Sequence, residues 1–131
     1  MIKKVVTKNF IFRKAKRNDL SEILRLLAED ELGRTRETIP TVEIDPCYRA
    51  AFEEIDSDQN QALMVVEENN KIIGICHLTY MPSLTFQGAK GLNIEAVRID
   101  QTCRNLVPDH KSFQTFLAHL FQDDFAFVLA S

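Results

Sequence analysis

A chain of 131 residues with 45% hydrophobic and 27% charged side chains has the balance of a globular domain, large enough to bury about two-thirds of its unfolded surface. Four glycines and four prolines exclude collagen-like and linker-rich classes. No apolar run reaches the roughly 18 residues of a membrane span, and MIKKVV lacks the apolar core of a signal peptide, so a cytoplasmic protein without a membrane partner is expected.

The net charge of −3 is unevenly spread. Residues 1–17 hold 7 basic and no acidic side chains, while the remaining 9 basic and 19 acidic ones leave the rest of the chain at −10. In KKVVTKNFIFRKAKR the basic residues alternate with apolar ones, the pattern of an edge strand guarded by lysines. An acidic body disfavours nucleic acid and suits a cationic or amine partner.

Residues 9–15 alternate in period two and predict the first strand. In NDLSEILRLLAEDELG, Leu20, Ile23, Leu24 and Leu27 follow helical spacing, Asp19 and Glu22 approach a capping box, and Gly33 supplies a stop. Residues 33–45 are polar, contain Pro40, and are long enough to be a binding element. Asp45 as cap and Pro46 as first helical residue announce a second helix, with Tyr48, Ala51, Phe52 and Ile55 as its apolar face. ALMVVEENNKIIGICHLTY predicts a hairpin turning at Asn69-Asn70, since asparagine tolerates the positive φ of tight turns. Met81-Pro82 ends that hairpin, and a polar connection leads to a fourth strand over residues 91–100.

The fourth strand changes phase. Leu92 and Ile94 are the apolar residues of one parity, and Val97 and Ile99 those of the other. An extra residue forming a β-bulge near Glu95–Val97 explains the switch; burial of both faces is the other reading. Glu95 then stands among apolar neighbours at a strand irregularity, where burial would suit it to general-base work.

Three cysteines, Cys47, Cys76 and Cys103, form no C-x-x-C pair and read as free thiols in a reducing compartment. His110 and His119 lack a metal-ligand spacing, and no metal is expected; His77 reads as an ordinary strand residue.

With FRKAKRNDLSEILRLLAEDELG as first strand and helix, ALMVVEENNKIIGICHLTY as hairpin and IEAVRIDQTCRN as the fourth strand with its turn, the chain resembles the GNAT superfamily of acyl-CoA-dependent N-acetyltransferases over residues 9–105. The resemblance implies an α+β fold class in the three-layer manner of that family: a mixed, mostly antiparallel sheet with helices on both faces, here without the family's last helix and hairpin. It implies acetyl-CoA as cosubstrate, an amine acceptor and Glu95 as general base. The backbone of Val97, Arg98 and Ile99 would pair with the pantetheine amides, and Arg104 and Asn105 would hold the pyrophosphate at a helix N-terminus.

The chain departs from the family's pattern after Asn105. Leu106, Val107, Pro108 and Asp109 stand where glycines are expected, and Pro108 has no N–H to give. Residues 106–131 read as a divergent helix plus short strand: Phe113, Phe116, Leu117, Leu120 and Phe121 have helical spacing, and FAFVLAS reads as a strand. The family's usual acid, a later tyrosine, has no match; Tyr80 and Cys103 are the nearby substitutes, and each reads as structural. One domain over 1–131 is expected, acting as an N-acetyltransferase. The alternative is a non-catalytic relative that binds or dimerises, a second copy completing the sheet. A third reading takes the tail beyond Asn105 as frame-altered.

Overall fold

The structure, a computed structural model, describes residues 4–6, 10–28, 44–100 and 110–130. Six strands form one sheet in sequence order: β1 (Val5–Val6), β2 (Ile11–Lys14), β3 (Gln61–Glu68), β4 (Lys71–Pro82), β5 (Lys90–Ile99) and β6 (Phe127–Ala130). Every neighbouring pair is antiparallel except β5 and β6, which run parallel. Short β1 is the outermost described strand, pairing Val5 with Phe12 and Val6 with Ile11, so the basic arm does supply an edge.

Helices cover both faces. Against one face lies α1 (Leu20–Ala28) with α2 (Pro46–Ser57); against the other lies α3 (His110–Phe121). Leu20, Ile23 and Leu24 of α1 are buried as their spacing predicts, with Val65, Ile72 and Ile75 of the sheet and Phe52 of α2, whereas Leu27 is only half-buried at the rim of that cluster and Leu26 takes the buried place. Phe113, Leu117 and Phe121 of α3 pack on Phe12, Met64, Leu78, Leu92, Ile94, Val97 and Ile99. Phe116 stays 37% exposed and meets Phe10 edge-on, with ring centroids 5.8 Å apart. The three-layer α+β class follows from this placement.

Local signals hold with two corrections. Asp45 caps α2 through the Cys47 amide at 3.0 Å and Pro46 opens the helix, but Ala51 is exposed rather than part of the buried face. Asp19 does not cap toward Glu22. It ends a 3-10 turn (Arg17–Asp19) and accepts the Lys16 amide at 2.7 Å, while Arg13 clamps both of its oxygens at 2.8 and 3.1 Å. Burial alone would raise the Asp19 carboxyl, but the Arg13 side chain and the Lys16 amide outweigh it and hold the group below the usual carboxylate range. Glu22 pairs with Arg25 instead.

The hairpin turn has Asn69 and Asn70 at φ 50° and 65°, the paired left-handed values its sequence predicts. The β4–β5 connection carries a short helical turn (Thr85–Gly88) in which Phe86, Gln87 and Gly88 all have positive φ and Leu84 and Phe86 stand in solvent.

Candidate functional site

The predicted phase change in β5 is a β-bulge. β4 pairs Ile75 with Arg98 and His77 with Glu95, so Cys76 alone opposes two residues, Ala96 and Val97. Ala96 takes φ 52°, a left-handed value that costs a non-glycine residue about 1–2 kcal/mol. The extra residue explains the sequence: Leu92, Ile94, Val97 and Ile99 all enter the α3-side core despite their change of parity.

The bulge also marks where β5 changes neighbours. Among the described residues β6 pairs with Gly91, Leu92, Asn93 and Ile94, so the described ladder on that edge reaches the residue before Glu95. Phe127 of β6 lies over Gly91 so closely that a Cβ there would fall 2.2 Å from its ring. The start of β5 is therefore held from both sides.

Glu95 is half-buried on the α1/α2 face, in register with His77 and, through it, Leu63. Among the described residues no hydrogen bond or ion pair reaches its carboxylate. His77 is half-buried too, and its Nε2 lies 2.8 Å from Gln61 Oε1. Gln61 Nε2 in turn donates to Asp58 Oδ2 at 2.8 Å. That hydrogen bond, followed by one from the Asn60 amide, holds the Asp58 carboxyl below the usual range. A polar row thus crosses three strands on one face: Gln61 at the start of β3, held by Asp58 at the C-terminal cap of α2, then His77 on β4 and Glu95 on β5. Sequence reasoning missed it because the partners are 16 and 18 positions apart and meet only through strand register.

The other expected site residues fall as follows. Val97 and Ile99 have buried side chains facing α3, so only their backbone can meet a ligand. Arg98 is half-buried, and its Nη1 donates to the Val97 carbonyl at 2.8 Å. Arg104 and Asn105 lie outside the described residues, as do Cys103, Leu106, Val107, Pro108, Asp109 and most of the 33–45 loop. Tyr80 packs toward Phe125, ring centroids 6.1 Å apart, on the face opposite Glu95.

Just past β5, Asp100 is 2% exposed and receives Arg25 of α1 at 3.1 Å and Lys71 at 3.7 Å. Cys76 is buried and its thiol is pushed up by burial, while Cys47 is exposed. Two open clefts of about 270 and 310 Å³ lie beside Asp58 and beside His119; neither includes Glu95, though the first is lined by Asp58 and Gln61. No cluster of three or more metal-ligating side chains occurs among the described residues, and no described helix is long and apolar enough to cross a membrane.

No family model and no curated protein matches the sequence. Solved structures do. A transcriptional regulator from Bacillus halodurans C-125 superposes with TM-score 0.77 at 28% identity, over 92% of this chain and 79% of that one. A GNAT family acetyltransferase from Staphylococcus aureus superposes with TM-score 0.60 at 19% identity, over 94% and 86%. The chain has the GNAT acetyltransferase fold. A third neighbour with that fold, a predicted acetyltransferase from Clostridium acetobutylicum solved with acetyl-CoA, gives TM-score 0.60 at 17% identity over 93% and 80%. Within the GNAT fold, the bulge of β5 follows directly on the residues that pair with the parallel β6 among the described residues. The described residues from 110 onward supply α3, the helix expected from its spacing, and β6, the strand expected at FAFVLAS.

Proposed function

We propose that the chain is an N-acetyltransferase that moves acetyl from acetyl-CoA to an amine. The observation that carries this reading is the bulge at Ala96–Val97, set one residue after Glu95 and at the end of β6 pairing. A bulge redirects backbone groups that a regular ladder would consume, and among the described residues β6 pairs with β5 as far as Ile94. The backbone of Val97, Arg98 and Ile99 then lines the pantetheine arm. The buried side chains of Val97 and Ile99 fit this, because they leave the approach to backbone alone. Arg104 and Asn105 hold the pyrophosphate. Acetyl-CoA supplies a thioester carbonyl; Glu95 takes a proton from the incoming ammonium so that its nitrogen can attack.

Calorimetric titration with acetyl-CoA tests the reading. Micromolar binding that Arg104→Ala abolishes is expected, with thiol release when amines are added. No heat at millimolar acetyl-CoA would sink it.

A second reading rests on β6, where Phe127 is 39% and Leu129 53% exposed. A chain that binds without turnover would cover these by pairing with a second copy, completing the sheet. Sedimentation separates the two: a dimer that binds acetyl-CoA and releases no thiol with any amine favours the second.

A further inference from the structure

We infer that His77 is a second proton-transfer group of this site, with Gln61 and Asp58 as the positioning residues that fix its tautomer; the inference rests on the acetyltransferase reading of Glu95. The chain of hydrogen bonds starts at Asp58. A carboxylate can only accept, so the Gln61 group 2.8 Å from Asp58 Oδ2 must be the amide NH2. The other end of the same amide, the carbonyl Oε1, therefore faces His77 Nε2 at 2.8 Å. A carbonyl oxygen cannot donate. The ring nitrogen facing it must carry a proton, whatever the charge on the ring. Nε2–H is thus kept throughout, and Nδ1 is the nitrogen that can gain and lose a proton. Nδ1 makes no hydrogen bond among the described residues.

Register places this ring where the chemistry needs it. His77 and Glu95 are directly opposed on neighbouring strands, which sets their Cβ atoms about 4.5–5.5 Å apart on one face. The bulge begins at the next residue of each strand. Forming an amide from an ammonium removes two protons from nitrogen, and the departing thiolate takes one back. A lone carboxylate handles the first removal. Glu95 takes the first proton and passes it to solvent. The nitrogen then bonds to the thioester carbonyl carbon, and Nδ1 of His77 takes the second proton. The carbon–sulfur bond breaks with its electron pair on sulfur, and His77 returns its proton there. One proton is released overall, and the ring ends as it began. This gives the site an acid on β4, whereas Tyr80 packs on the opposite face.

Two measurements test this. Side-chain nitrogen NMR on histidine-labelled protein, with His77→Gln assigning the signal, should show Nε2 protonated and Nδ1 bare in the neutral ring. Gln61→Leu should allow the two tautomers to mix. A neutral His77 carrying its proton on Nδ1 overturns the inference. The second measurement follows thiol release from acetyl-CoA with n-propylamine as acceptor. His77→Ala should lower kcat roughly 10²-fold with the KM for acetyl-CoA unchanged, and imidazole added to the buffer should restore part of it. Unchanged kcat, or a loss that imidazole does not relieve, refutes the role of His77 while leaving the acetyltransferase reading intact. Wild-type protein that neither binds acetyl-CoA nor releases thiol refutes both.

Discussion

Deleting Ala96 should separate the fold from the site. The bulge sets Ala96 and Val97 against Cys76 alone, with His77 opposite Glu95 before it and Ile75 opposite Arg98 after it. Removing Ala96 leaves Glu95, Val97 and Arg98 facing His77, Cys76 and Ile75 one to one, an unbroken ladder in the same register. Alternation then still sends Ile94, Val97 and Ile99 to the α3 core, where all three are now at most 3% exposed. The deletion removes a left-handed alanine, about 1–2 kcal/mol, and restores a ladder hydrogen bond of about 1 kcal/mol net. Stability should therefore stay level or rise by about 1–3 kcal/mol, read by urea denaturation followed in the far-ultraviolet. Acetyl-CoA binding should be lost, because the strand no longer turns its backbone out beyond Glu95. Ala96→Gly is the companion variant: it keeps the bulge, relieves its strain and should bind as wild type. A deletion variant that loses more than about 2 kcal/mol would show that the fold itself needs the bulge. One that binds acetyl-CoA normally would show that the site does not.

Gly74→Ala should cost about 1–3 kcal/mol, since the added Cβ would lie 3.1 Å from Phe113, 3.2 Å from Ile99 and 3.3 Å from the Arg98 carbonyl, all in a closed core; denaturation midpoints check it, and a neutral result would mean α3 can move outward. Asp19→Asn should cost about 2 kcal/mol at pH 7, because it removes the charge from a clamp whose two side chains are 16% and 12% exposed. The Asp19 carboxyl is held below its unfolded value, so its contribution is present above about pH 4 and is lost as pH falls through the folded value. The gap between wild type and variant should therefore close on acidification, and a gap of equal size at pH 7 and pH 3 would refute the assignment.

What the sequence revealed and what it hid divide by the range of the interaction. The bulge was legible because four residues, Leu92, Ile94, Val97 and Ile99, carry opposite parities within one short run. The Asn69-Asn70 turn and the Asp45-Pro46 helix start were legible for the same reason, each being settled by neighbours in sequence. Asp19 was misread because its partner is Arg13 on the preceding strand, and a cap looks the same with or without that clamp. The polar row was hidden more deeply. His77 sits in an apolar run where nothing marks it, and its meaning comes from Glu95 on one side and Gln61 on the other. Asp100 was equally silent, since an aspartate after a strand is ordinarily a turn residue, yet here it is 2% exposed.

Asp100 also bears on why the bulge stays where it is. A one-residue irregularity can in principle slide along its ladder, carrying the site with it, unless the strand is pinned on both sides. Upstream, Gly91 to Ile94 are held between β4 and β6, with Phe127 over Gly91. Downstream, the Asp100 amide donates to the Ile73 carbonyl at 2.6 Å, and its carboxylate meets Arg25 and Lys71. A buried ion pair adds little net stability, because desolvation offsets most of the attraction, but breaking its register leaves a buried charge without compensation. Sliding the bulge past Arg98 would force that penalty and also turn Val97 and Ile99 out of the core. The strained Ala96 therefore has one place to be, and that place fixes Glu95 opposite His77.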